Sequence, residues 1–126
     1  MLGHMSTSPH IVVTLHCAGG LRSQVFTRLA DALPVESMSS GFSELVLVLP
    51  LSALSTVREF ADQVARVRDS DSTYQHLQIG ISHGILPDPL PYPMPQEHPV
   101  VIEAFKAGLS PAGYSEELYA IEHDVA

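Results

Sequence analysis

Three side chains able to bind metal or move protons stand beside apolar runs of strand length. His16 ends the run Ile11-Val12-Val13-Thr14-Leu15, Glu44 heads Leu45-Val46-Leu47-Val48-Leu49, and His76 precedes Leu77-Gln78-Ile79-Gly80-Ile81. Two imidazoles and a carboxylate would suit Zn or Fe(II) in a facial arrangement, or a polar small-molecule site. By strand parity all three fall on the polar faces of their strands, so they also suit a solvated or partner-covered sheet face. Other candidates have plainer readings. His83 lies on the apolar parity of its strand, where a buried neutral histidine bonded to backbone is expected rather than a general base. Cys17 shares the apolar parity of the first strand and has no cationic neighbour in sequence to make it a thiolate. Ser23, Ser39, Ser40 and Ser43 lack a Gly-x-Ser-x-Gly context, so no hydrolase nucleophile is indicated. Gly19-Gly20 followed by Arg22 could receive an anion at a helix start, but the pair also makes an ordinary strand-to-helix turn. Arg58, Arg66 and Arg68 read as a solvated helix face pairing with Glu59, Asp62 and Asp69.

The elements that would position these residues follow from periodicity. His10 to Cys17 alternates, with Ile11, Val13, Leu15 and Cys17 on one side, which predicts a strand. After Ala18-Gly19-Gly20, Leu21, Val25, Leu29 and Leu33 recur every four residues and predict a first helix that Pro34 stops. Val35 to Ser39 reads as a short strand, Ser40-Gly41 as a turn, and Glu44 to Leu49 as the returning strand of a hairpin. Pro50 through Ser55 opens a second helix in which Thr56 and Glu59 have capping-box spacing, with Val57, Phe60, Ala61, Val64 and Val67 as the buried stripe. Tyr74 to Ile85 alternates again. The order strand, helix, strand, strand, helix, strand predicts an α+β fold, a ferredoxin-like βαββαβ sandwich of the cyclase or palm kind, its antiparallel sheet ordered 4-1-3-2 with both helices on one face.

Six of the ten prolines lie between Pro87 and Pro99, so the chain is expected to leave the domain as a proline-rich C-terminal extension with short helices at Val100 to Ala107 and Ser115 to His123. Residues 1–8 are expected to be a tag remnant and disordered start, 9–86 the ferredoxin-like domain, and 87–126 the arm.

Composition removes several classes. With 126 residues the chain is of single-domain length, and 14 acids against 6 Lys and Arg, Lys106 being the sole lysine, leave a charge of -8. No basic stripe is present to neutralise phosphates, which argues against nucleic acid. A single cysteine precludes an intrachain disulfide or a cysteine-rich zinc site and fits a reducing, cytoplasmic setting. No apolar run reaches the roughly 18 residues of a membrane helix.

The segment Gly41 to Gly84 resembles the second half of a GGDEF domain, the diguanylate cyclase family, and more distantly the class III nucleotidyl cyclases. The residues that carry the resemblance are Gly41, Phe42, Ser43, Glu44 and Leu45 at the hairpin, Val46 to Pro50, the helix with Arg58, Phe60, Ala61 and Arg66, and Ile79-Gly80-Ile81-Ser82-His83-Gly84. The resemblance implies a bacterial signalling protein with a nucleotide as possible ligand. It covers about a third of the chain, and it departs where the chemistry sits. Cyclisation needs two metal ions held by carboxylates on the first strand and the hairpin; here Val12 to Cys17 contains no acid and the hairpin Asp of the family is Ser43, leaving Glu44 alone. The family's second glycine is Phe42, and only one helix precedes the hairpin where the family has two. A catalytically inactive, self-associating regulatory or protein-interaction domain is therefore expected, with no catalytic residues, no metal and no cofactor. The alternative is a small-molecule or metal-binding enzyme whose site uses Ser43, Glu44, His16 and His76.

The sheet face bearing Val12, Thr14, Val46, Val48 and Gln78 is too apolar to stay wet. It is expected to be covered either by residues after Pro87 or by a second copy of the chain. The expected main core comprises Ile11, Val13, Leu15, Leu47, Leu49, Ile79, Ile81, Val25, Leu29, Phe60 and Val64.

Overall fold

The computed structural model describes residues 6–21, 23–91 and 94–125. Its elements are β1 (Ser6–His16), α1 (Ser23–Ala30), β2 (Ser37–Ser40), β3 (Glu44–Pro50), α2 (Leu54–Ser70), β4 (Gln78–Asp88), α3 (Pro99–Ala107) and α4 (Gly113–Val125), with single 3-10 turns at Leu51–Ala53 and Ser72–Tyr74. The strands form one antiparallel sheet in the order β2-β3-β1-β4, the order expected from the alternation of elements. The fold class is α+β.

β1 is central and buried on both faces: Ile11, Val12, Val13 and Leu15 are all at 0% exposure. One face carries the larger core, in which Ile11, Val13, Leu15, Leu47, Leu49, Ile79 and Ile81 meet Phe26 and Ala30 of α1, Val57, Phe60, Ala61 and Val64 of α2, and Leu118 and Ile121 of α4. Phe26 packs edge-on against Tyr74, ring centres 5.2 Å apart, the arrangement that ring quadrupoles favour. The opposite face carries Val12, Val46, Val48 and Leu86, covered by Met94, Val101 and Ala104 with Leu90, Val100 and Phe105 at the margin. The chain's own C-terminal segment is thus the cover that the apolar strip requires.

How α3 reaches the sheet follows from the small residues of β4. A Cβ on Gly80 would collide with the Ala104 carbonyl and the Thr14 hydroxyl, and one on Gly84 would stand 2.7 Å from Val100 Cγ2. Between them the Ser82 hydroxyl donates to the Val100 carbonyl. Gly80, Ser82 and Gly84 share a strand face, so the helix backbone lies directly on the strand. The chain then crosses the β4 edge at Gly108, whose own Cβ would come within 3.4 Å of Gly80 Cα, and α4 packs on the other side.

Several local expectations are corrected. β1 begins at Ser6, and Ser6, Thr7 and Ser8 pair with Asp88, Pro87 and Leu86, so boundaries at 8/9 and 86/87 fall inside paired strands; the rest of the expected start, residues 1–5, lies outside the described residues. Strand four begins at Gln78, with Tyr74 in the preceding 3-10 turn. Val25 is 41% exposed and Leu29 only partly buried; residues four apart advance 40° per step around a helix, so the Leu21-Val25-Leu29-Leu33 row winds off the core while Phe26 and Ala30 face it. α2 starts at Leu54 with no side-chain cap, and Thr56 donates instead to the Ala53 carbonyl at 2.7 Å, so no capping box forms.

Candidate functional site

The β2–β3 hairpin is held against the turn between β1 and α1 by backbone bonds, in which Cys17 N–H donates to the Ser43 carbonyl at 2.9 Å and Leu21 N–H to that of Phe42 at 2.8 Å, while Gly41 N–H closes the hairpin itself by donating to the Glu44 carbonyl at 2.9 Å. Gly20 has a φ of +106° and the Phe42 ring lies on it, 2.9 Å from where a Cβ would be. The positive φ of the turn therefore favours glycine there, which accounts for Gly20 without an anion. Arg22, the other half of that motif, lies outside the described residues.

This anchoring sets His16 directly opposite Glu44 on β3 and Gln78 on β4. Of the four candidate residues, His16 and Glu44 are thus paired across strands, and Ser43 adjoins them through its carbonyl bond to Cys17. Glu44 Oε1 accepts from Gln96 Nε2 at 3.3 Å. His76 does not join them. It is exposed in the turn ahead of β4, its Nε2 3.2 Å from Gln75 Nε2, and lines a different cleft of about 410 Å³ with Arg68, Asp69 and Pro111. Among the described residues no group of three or more His, Cys, Asp or Glu could hold a metal ion. The donor set therefore does not fit the two-metal centre that the cyclase resemblance would need, because β1 offers no acid and Glu44 stands without a second carboxylate.

Beside His16 the sheet and α3 enclose a shallow depression of about 290 Å³ lined by His16, Gln78, Ile102, Phe105, Lys106 and Leu109. Nothing local in the sequence says that Ile102, Phe105 and Leu109 meet His16.

The remaining candidates resolve into packing. Cys17 is 3% exposed within the main core. His83 is not buried: its side chain is 35% exposed and Nδ1 stands 3.5 Å from Glu117 of α4, because the apolar layer ends at Ile81 and a polar turn of α4 follows. Arg58 pairs across elements rather than along its helix, donating from Nε to Glu122 Oε1 of α4 at 2.6 Å. That hydrogen bond raises the Arg58 guanidinium pKa and lowers the Glu122 carboxyl below the usual carboxylate range. Arg68 does bond Asp69, at 3.3 Å.

One polar cluster had no sequence signal. His10 is 2% exposed, with Nε2 2.7 Å from Glu36 Oε2 and Nδ1 2.9 Å from the Ser8 carbonyl. Each ring nitrogen thus faces an oxygen, which fastens β1 to the segment ahead of β2. The neighbouring Ser37 hydroxyl is buried without a hydrogen-bond partner and is not coupled to the ring, so the trio is no nucleophile–base pair. No described helix is long and apolar enough to cross a membrane. Comparison with protein-family models, with curated proteins and with solved structures finds no match.

Proposed function

We propose that this chain is a catalytically inactive, cyclase-like regulatory domain of the ferredoxin-like βαββαβ type that works in the cytoplasm through contacts with a protein partner or a second copy. The observation that supports it best is the state of the hairpin carboxylate. Glu44 faces no second acid, is engaged by Gln96, and borders a sheet face filled by Met94 and α3, leaving no place for a metal-bound triphosphate against β1. The strand order supports the ferredoxin-like reading. The Ile79-to-Gly84 part of the resemblance also has a packing reason, since Gly80 and Gly84 are needed for α3 to lie on β4.

With the apolar strip covered from within, the contacts of such a domain fall elsewhere. The hairpin tip offers Phe42, 80% exposed, beyond the edge strand that carries the half-exposed Met38, and a large exposed aromatic of this kind is what interfaces bury. Incubation with GTP or ATP and Mg or Mn, followed by chromatography, tests the inactive reading: no cyclic product is expected. Cyclic product that disappears on Glu44→Gln would overturn it.

A further inference from the structure

We propose that the His10–Glu36 pair is a proton-dependent latch, which holds the edge strand β2 to the sheet while the His10 ring is charged and lets it loosen when the ring is neutral. The latch uses neither the hairpin carboxylate nor cyclase ancestry, so it stands apart from the inactive-domain reading.

The ring sits between two acceptors. His10 is 2% exposed, with Nδ1 2.9 Å from the Ser8 carbonyl and Nε2 2.7 Å from Glu36 Oε2. A carbonyl and an ionised carboxylate can only accept, so both contacts are hydrogen bonds only when each ring nitrogen carries a proton. A neutral imidazole has one N–H and turns a lone pair toward the other oxygen. The two oxygens are not equally free to yield. Ser8 is paired with Leu86 in the β1–β4 ladder, which fixes its carbonyl, whereas the Glu36 side chain is 44% exposed and can turn to water. The Glu36 contact is therefore the one that opens.

Among the described residues no other charge engages the ring. Opposite His10 stand Pro50 on β3 and Gly84 on β4, neither of them titratable. The ionisable groups of the surrounding elements are occupied or exposed elsewhere. His83 of β4 meets Glu117, Glu44 of β3 is held by Gln96, and His98 accepts the Val100 N–H at the head of α3. Glu103 and Lys106 of α3 face each other, while Asp31, Asp88 and Glu97 are exposed.

β2 has few other holds. It is four residues long and lies at the sheet edge, and its Ser37 hydroxyl is buried without a hydrogen-bond partner, which costs stability. Just ahead of it the Glu36 N–H donates to the Val48 carbonyl at 2.8 Å, so backbone and side chain of Glu36 together fix where the strand begins. A charge-assisted bond is about twice as strong as a neutral one, and its loss loosens β2. This strand carries Met38 and leads to Phe42, both exposed, so one buried ring governs how firmly that apolar corner is held.

The test is a titration of the isotope-labelled protein from about pH 5 to about pH 8, the span in which histidine changes charge, with ring nitrogens and amides followed by NMR. At the acid end both nitrogens of His10 should carry protons. At the alkaline end the ring should keep only the Nδ1 proton, bonded to Ser8, and the exchange protection of the β2 amides, corrected for the intrinsic effect of pH, should have fallen about tenfold. In Glu36→Gln the side-chain amide can accept from Nε2 or donate to it, so β2 protection should stay constant while the ring still titrates. The partly exposed position of Glu36 lets this variant fold, and unmoved amides of Phe60 and Val64 verify it. A ring that does not titrate in this span, a neutral ring that keeps its proton on Nε2 toward Glu36, or β2 amides indifferent to the ring would each overturn the proposal. The same loss of protection in Glu36→Gln would overturn it as well.

Discussion

The two faces of the sheet are built from different materials. On the face of α1, α2 and α4, large side chains interlock, with Phe26, Phe60, Leu15, Leu47 and Leu49 buried among one another. On the face of α3, valines of β1 and β3 lie beside the small residues Gly80, Ser82 and Gly84 of β4, and the helix backbone sits against Gly80. The first face is held by volume and the second by closeness. The lesson is that a cover can be specified by what a strand lacks, and that glycines which count toward a family resemblance can serve as the seat of a helix.

Substitutions can break this contrast in opposite directions. The largest effect is expected for Leu47→Ala, which empties a fully buried site in the larger core and should cost about 2–5 kcal/mol, measured by urea unfolding; a cost below about 1 kcal/mol would show that the volume argument fails there. Gly80→Ala adds one methyl group where a helix carbonyl stands and should cost about 1–3 kcal/mol. Its signature is local: faster amide exchange in α3 and binding of a hydrophobic dye at the Val12–Val46–Val48 strip, with the α2 amides unchanged. Uniform loosening of both faces would mean that α3 is not seated independently.

The smallest effect probes the join between α2 and α4. Because the Arg58 hydrogen bond holds the Glu122 carboxyl below its ordinary range, the pair contributes stability above the unfolded carboxylate pKa, and that contribution is lost as pH falls through the lowered folded value. Glu122→Gln should therefore be slightly less stable than the parent at neutral pH, and the gap should close as pH falls through the lowered folded value, read as the difference in melting temperature. A gap that persists in acid would assign the effect to packing. Both partners are more than a third exposed, which keeps the effect small.

Much of the fold was legible because burial imposes a short period. Two-residue alternation marked β1, β3 and β4, and the apolar row Val57, Phe60, Ala61 and Val64 marked the inner side of α2. The first helix was legible as a helix but not as to its face, since eight residues are too few for a row four apart to settle which way it points. The candidate site was half legible: His16 and Glu44 do stand opposite each other, because two apolar runs buried on the same faces and the backbone bonds from Cys17 and Leu21 to the hairpin hold the β1–β3 register, whereas His76 lies ahead of its strand, where parity has no meaning.

By itself, the amino-acid sequence determined the centres of the strands, the existence of the first two helices, the absence of a paired carboxylate on the first strand, and the need to cover an apolar strip. Each of these is a property of residues a few positions apart. Tertiary structure alone decided that α3 supplies the cover and that Arg58 meets Glu122, 64 positions away. It also decided that His10 meets Glu36 at 26 positions and Glu44 meets Gln96 at 52, and that the depression forms beside His16. Such pairings depend on where whole elements come to rest, and that is set by the sum of packing over both faces of the sheet rather than by any local period.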